Sequence, residues 1–286
     1  MIVTPKIKNN ICLNAHPKGL EHLVKKEIEF IEKNGKIEGP KNVLVLGAST
    51  GYGLASRIVC AFGSGANTIG VASGRLPTKV RTGNVGYYTM RAFDRRARDK
   101  GLFSESMTGD AFSHEMKDRV VSLLKENNMK LDCVVYSLAT SSRRDPDTGE
   151  LHRGSIKPIG KSFSSKSLDA GKEEISYVHF DPATEEEITG AVKVMGGEDW
   201  ELWLSRLAEE DCLAPNVVTV AYSYIGPPVT APIYREGTLG MAKKHLEETA
   251  DALHEKLSAH GGKAFIAVNK ALVTRSSAVI PVVPLY

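Results

Sequence analysis

Short unbroken apolar runs alternate with segments whose apolar residues recur every three or four positions, and this alternation organises the first half of the 286-residue chain. Val43-Leu-Val-Leu46 is such a run, as expected of a strand covered on both faces. Gly47, Gly51 and Gly53 then relax the backbone, and Leu54 to Phe62 carries helical spacing. Asn67 to Ala72 predicts a second strand, Tyr87 to Lys100 a helix and Ser104 to Gly109 a third strand. Ser113 caps a further helix whose Met116, Val120, Val121, Leu123 and Leu124 face the core, and Leu131 to Ala139 is a fourth strand. Strand and helix thus alternate four times, which predicts an α/β fold with a doubly wound, mainly parallel sheet and helices on both faces. Ahead of it, Ile2 to Leu13 reads as a short strand or extended arm and His16 as a turn or capping residue. The amphipathic helix that follows, on Leu20, Leu23, Val24, Ile28 and Ile31, closes at Asn34-Gly35.

From Thr140 to Ala183 the alternation breaks into a stretch rich in Ser, Lys, Arg and Gly, with a turn signal at Asp145-Pro-Asp-Thr-Gly149. An excursion of that length serves a site or a lid. Its Arg143, Arg144, Arg153, Lys157 and Lys161 either meet the phosphates of a large carrier substrate or face water. Two helices, Thr184 to Met195 and Glu198 to Ala208, follow, with Trp200 and Trp203 as core anchors. Asn216 to Tyr224 returns to strand, Gly237-Thr238 opens a long helix to Leu257 with Thr238 as N-cap, and Lys263 to Val268 is a last strand. The expected organisation is one nucleotide-binding domain over residues 1–286, with a substrate-side insertion at about 140–212.

Charge narrows the partners. A net charge of +3, from 37 basic and 34 acidic residues interspersed, gives no field that calls for nucleic acid or an acidic membrane. Cys12, Cys60, Cys133 and Cys212 are scattered without metal-ligand spacing, so no metal is expected. The N-terminus lacks a secretory pattern and no run approaches the ~18 apolar residues of a membrane span, which reads as a cytoplasmic protein. The apolar ending, Ala278 to Tyr286, wants a surface to pack against, so the sequence is expected to be a piece of a longer chain.

The candidate chemistry sits where the strands end. Gly47-Ala-Ser-Thr-Gly-Tyr52, between a buried strand and a helix, lets main-chain N–H groups and a helix N-terminus approach a pyrophosphate. The second strand ends Ser73-Gly74-Arg75, with Lys79 and Arg81 behind and no carboxylate between; a basic residue there suits the 2′-phosphate of NADPH over the 2′-hydroxyl of NADH. Asp110-Ala111 ends the third strand at the adenine position, and Leu138-Ala139 ends the fourth facing the cofactor. A tyrosine with a lysine is the usual equipment for reduction by a nicotinamide: the phenol donates to the oxygen that gains charge, and the ammonium lowers the phenol's pKa. Tyr234 and Lys243 are nine positions apart. Nine steps at ~100° turn about 900°, so on one helix the two would point oppositely. Tyr234 must therefore precede the helix that carries Lys243, and Tyr224, ending the strand before, can supply a second hydroxyl. These residues alone leave open enoyl reduction, carbonyl reduction and a binding module without turnover.

Taken together, Gly47-Ala-Ser-Thr-Gly-Tyr-Gly53, Val194-Met-Gly-Gly-Glu-Asp-Trp200, Ala221-Tyr-Ser-Tyr-Ile-Gly226, Tyr234-x8-Lys243 and Val268-Asn-Lys-Ala-Leu-Val-Thr274 resemble the FabV-type enoyl reductases, also called trans-2-enoyl-CoA reductases, over nearly the whole chain. The resemblance implies a Rossmann-type, short-chain-dehydrogenase-like fold, usually monomeric. It also implies NAD(P)H-dependent reduction of trans-2-enoyl thioesters of CoA or acyl carrier protein in fatty acid synthesis. By that likeness Tyr234 is the proton donor, Tyr224 contacts the substrate thioester and Lys243 binds cofactor. Further cofactor contacts fall at Gly47, Ala48, Ser49, Thr50, Gly51, Tyr52, Ser73, Gly74, Asp110, Ala111, Leu138, Ala139, Leu272, Val273 and Thr274. Many relatives carry a glutamate at the end of the second strand and prefer NADH; here Gly74-Arg75 replaces it. The family also continues past the point where this sequence stops.

Overall fold

The computed structural model describes all residues except 1–3, 5, 9–10, 13, 170–172, 275–276, 278–279, 281 and 286. β1 (Ile7–Lys8) and β2 (Ile11–Cys12) pair antiparallel in the expected arm. α1 (Pro17–Lys33) follows, capped by His16, whose Nδ1 accepts from the Gly19 N–H at 3.0 Å, and it ends at Asn34 before a left-handed Gly35. Next come β3 (Asn42–Leu46), α2 (Gly51–Ile58) running into a π turn at Val59–Gly63, β4 (Asn67–Ala72), α3 (Val85–Asp99), β5 (Ser104–Thr108), α4 (His114–Glu126) and β6 (Leu131–Tyr136).

The excursion that breaks the alternation carries strands of its own. It forms two antiparallel hairpins, β7 (Ser142–Arg144) with β8 (Leu151–Arg153) and β9 (Phe163–Asp169) with β10 (Glu174–Phe180). Phe163 stacks on Phe180 across the second hairpin, while Ile175 and Tyr177 stay exposed. The chain then forms α5 (Glu185–Met195), opened by a capping box between Thr184 and Glu187, α6 (Glu198–Glu209), β11 (Leu213–Ser223), α7 (Thr238–Ser258) and β12 (Lys263–Val268).

Six strands pair in parallel in the order β12-β11-β6-β3-β4-β5. The chain winds from β3 outward through β4 to β5, returns to β6 on the other flank of β3, and continues to β11 and β12. Order reverses between β3 and β6, which opens a crevice at their C-terminal ends, the place where doubly wound sheets bind ligands. The two faces follow the period of two. Leu44, Leu46, Ile69, Val71, Val134 and Tyr136 pack with α4, α6 and α7, and Trp200 and Trp203 anchor that layer. Val43, Val45 and Val135 face the other way, with Ala48 and Ala66. The β3 run is wholly buried, 0% exposed from Val43 to Leu46. No helix among the described residues is long and apolar enough to cross a membrane. Cys60, Cys133 and Cys212 are free thiols.

Candidate functional site

At the exit of β3 the backbone turns on Gly47, whose φ of +88° only glycine adopts freely. A Cβ there would collide with the carbonyl of Ser137 at the exit of β6, so the two strand ends meet too closely for any side chain. The N–H groups of Gly47 and Ala48 donate to the Val71 carbonyl at 2.8 and 3.1 Å, and the Ser137 N–H donates to Leu46 at 2.8 Å. Helix α2 begins at Gly51, a turn earlier than the apolar spacing predicted, because its first turn is glycine and tyrosine and carries no apolar signal. Thr50 is its N-cap but makes no side-chain cap hydrogen bond, which leaves first-turn N–H groups for an anion. Ala48 is buried, Ser49 half-buried, and Thr50, Gly51 and Tyr52 are exposed along the crevice. A cradle closed to side chains and ending in an uncapped helix fits a pyrophosphate.

On one side of the cradle, Ser73 and Gly74 are exposed and Arg75 half-buried at the end of β4. Thr89 of α3 donates to the Ser49 carbonyl at 2.6 Å and ties that helix to the cradle. Asp110 is exposed and accepts from the Phe112 N–H at 3.0 Å; Ala111 is buried, its carbonyl accepting from the Trp203 indole at 3.0 Å. Behind this corner lies a buried polar group that the sequence did not signal. The Lys117 ammonium donates to Asp199 at 2.8 Å and to the Phe112 carbonyl at 2.9 Å, and Tyr136 donates to the other Asp199 oxygen at 3.2 Å. At the exit of β6, Leu138 is half-buried and Ala139 exposed.

The tyrosines lie on the other side. Tyr224 follows β11 directly, and its ring meets that of Tyr234 edge-to-face, with centroids 5.2 Å apart. Tyr234 lies in the turns before α7 and is 3% exposed, packed with Ile233, Leu239 and Val283. The helix starts at Thr238, so Lys243 stands in its second turn and the phenol stands outside the helix, as the spacing required. Thr238 is not the N-cap. Gly237 takes that place, and the Thr238 hydroxyl instead donates to the Ser155 carbonyl at 2.6 Å and accepts from the Lys157 N–H at 3.1 Å, pinning the excursion to the start of the helix. Desolvation lowers the Lys243 pKa from its ordinary value to about 8.

Leu272, Val273 and Thr274 are exposed beyond β12. Two unforeseen tethers hold that flank to α2: the Tyr52 hydroxyl donates to the Lys270 carbonyl at 2.6 Å, and Ser56 and Tyr222 share a hydroxyl hydrogen bond at 2.5 Å. Of the excursion's five basic residues named from the sequence, three are engaged by the protein itself. Arg143 is buried against Glu198 and the Lys193 carbonyl, Lys157 pairs with Glu187, and Arg144 bonds the Gly149 carbonyl. Arg153 and Lys161 are exposed.

Two family models match in succession. Residues 2–79 match the NAD(P)H binding domain of trans-2-enoyl-CoA reductase, and residues 81–286 match the trans-2-enoyl-CoA reductase catalytic region. Among curated proteins, the chain is 49% identical to an enoyl-[acyl-carrier-protein] reductase [NADH] of Flavobacterium johnsoniae, with 100% of this chain and 72% of that one covered. It is also 49% identical to a trans-2-enoyl-CoA reductase [NADH] of Ruminiclostridium cellulolyticum, with the same coverage. The crystal structure of Treponema denticola trans-2-enoyl-CoA reductase in complex with NAD superposes with a TM-score of 0.95 at 49% identity, over 100% of this chain and 72% of that one.

Proposed function

Since the chain belongs to the trans-2-enoyl-CoA reductase family, we propose that it reduces the C2=C3 bond of trans-2-enoyl thioesters of CoA or acyl carrier protein with a reduced nicotinamide dinucleotide. The observation that carries this reading is the paired phenols of Tyr224 and Tyr234 beyond β11, with the desolvated Lys243 in the second turn of the adjoining helix. A carbonyl reductase places its tyrosine and lysine four apart on one helical face; here the tyrosine stands outside the helix.

The cofactor, when bound, supplies a hydride to C3 of the enoyl thioester. Tyr234 donates a hydrogen bond to the thioester oxygen as negative charge develops there, Tyr224 assists at the same oxygen, and C2 of the resulting enolate then takes a proton from water. The glycine turn and the uncapped start of α2 hold pyrophosphate, and Lys243 binds the nicotinamide ribose and biases the Tyr234 phenol. The excursion lies on the substrate side of one nucleotide-binding unit.

Turnover of crotonyl-CoA, followed by nicotinamide absorbance, with none of acetoacetyl-CoA is the expected result. Preference for the ketoacyl thioester would overturn the reading, and tight cofactor binding without oxidation by either substrate would leave only a binding module.

Lys243 makes the pH dependence distinctive. With its pKa lowered to about 8, its ammonium is present below that pH and lost above it. Dinucleotide affinity that uses the charge should weaken above pH 8, at most ~10-fold per pH unit. Folding stability should move oppositely. The unfolded lysine keeps its proton up to about pH 10.4, so between those values the unfolded state binds more protons and stability rises with pH. Calorimetric titrations and thermal melts on either side of pH 8 check both signs; affinity flat across that range removes Lys243 from the site.

A further inference from the structure

We propose that the end of β4 and the loop after it hold the 2′-phosphate of NADP(H), with Arg75 as the residue that selects it over NAD(H). This deepens the proposed function and rests on the reading of the crevice as a dinucleotide site. β3 pairs with β4 along its whole length, up to Leu46 opposite Val71, so Ser73 to Arg75 emerges beside the cradle, where the adenosine ribose of a dinucleotide lies in this fold. Helix α3 locks the two together: a Cβ on its Gly86 would press on both the Ser49 side chain and the Ser73 carbonyl.

A site for an unphosphorylated ribose uses a carboxylate at this strand end to accept from the 2′-hydroxyl. Residues 73–84 contain no aspartate or glutamate, and they carry Arg75, Lys79 and Arg81. The neighbouring strand enforces part of this, because a Cβ at Gly74 would collide with the Thr108 side chain at the end of β5. A larger residue at that position needs the Thr108 side chain to move.

The loop is also built to hold Arg75 in place. Its N–H donates to the Asn84 side chain and its carbonyl accepts from the Asn84 N–H, both at 3.2 Å, while the Gly83 N–H donates to the Tyr88 hydroxyl at 3.1 Å. The Arg75 side chain is half-buried, and its Nε has no hydrogen-bond partner among the described residues. None of Arg75, Lys79 and Arg81 forms an ion pair among those residues, whereas Arg95 and Arg98 of the following helix meet Glu21 and Glu105. A guanidinium on a clamped backbone, without an ion pair among the described residues and on a loop that also carries Lys79 and Arg81, matches a phosphate dianion.

Isothermal titration of the purified protein with NADP+ and NAD+, and with the fragments 2′,5′-ADP and 5′-AMP, tests this without turnover. The expected result is a preference of ~10-fold or more for the 2′-phosphorylated member of each pair, the range of one or two charge-assisted hydrogen bonds. Arg75→Gln should lower the NADP+ to NAD+ affinity ratio by ~10-fold, and Lys79→Gln with Arg81→Gln by less. Equal or tighter binding of NAD+ and 5′-AMP by the unaltered protein overturns the proposal whether or not the variants fold, and so does an Arg75→Gln ratio equal to that of the wild type. Tight NADP+ binding with no reduction of crotonyl-CoA would refute the enoyl reductase function and leave this assignment standing. Reduction of crotonyl-CoA with no preference between cofactors would do the reverse.

Discussion

Replacing Tyr234 by phenylalanine is expected to lower kcat for crotonyl-CoA by ~10²-fold or more, about 2.7 kcal/mol of barrier, with a smaller change in KM. The substitution keeps the ring that packs against Tyr224 and the Ile233, Leu239 and Val283 cluster, and removes only the hydroxyl. A donor that acts on charge present in the transition state and nearly absent in the ground state should affect kcat more than KM. Tyr224→Phe should cost less, because Tyr234 would remain as a donor. The measurement is initial rate against substrate concentration for both variants, with thermal melts to confirm folding. Tyr234→Phe with near-normal kcat would sink the assignment, and a Tyr224→Phe loss exceeding it would exchange the two roles.

The separation of these two tyrosines in sequence shows what the chain declares and what it conceals. The need for Tyr234 to precede the helix follows from helical geometry, and the helix does start after it. Its contact with Tyr224 could be argued only from shared chemistry, since nine residues of turn-forming chain lie between them and no periodicity links their positions. The strand–helix alternation was more readable, because Val43 to Leu46 is an unbroken apolar run that ends on Gly47 and helical spacing follows it. Alternation does not by itself encode the return of β6 to the flank of β3, the step that creates the crevice. The hairpins β7–β8 and β9–β10 escaped detection for a different reason: strands such as Phe163–Asp169 are mostly serine, lysine and aspartate, and they pair with each other outside the main sheet. Thr238 looked like a cap because threonine caps helices often; tertiary hydrogen bonds to Ser155 and Lys157 claimed its hydroxyl instead.

The Lys117–Asp199 pair, whose partners lie 82 residues apart, was the least visible feature, and its disruption should have the largest effect on stability. Both side chains are almost fully enclosed, 1% and 2% exposed, and the ammonium also lies over the Trp203 ring. Burial pushes the Asp199 pKa up and Lys117 opposes that, so the carboxylate depends on its partner for its charge. Lys117→Met removes the cation and leaves the carboxylate with Tyr136, which should cost about 3–5 kcal/mol. That corresponds to a fall in Tm of roughly 10 °C for a chain of this size. Without its partner Asp199 will take up a proton more readily in the folded state than in the unfolded one. The deficit should therefore narrow as pH falls and widen as pH rises through the native carboxyl's pKa. Adding Asp199→Leu to Lys117→Met should recover much of the loss, because an apolar pair leaves no buried charge unmatched. The same ammonium holds the Phe112 carbonyl next to Asp110 and Ala111, so the single variant should also bind dinucleotide more weakly at temperatures where it is folded. Denaturant melts of the two single variants and the double variant at two pH values decide the matter. A Lys117→Met protein within about 1 kcal/mol of wild type, or a double variant no more stable than the single, would show that the enclosed pair carries little of the fold's stability.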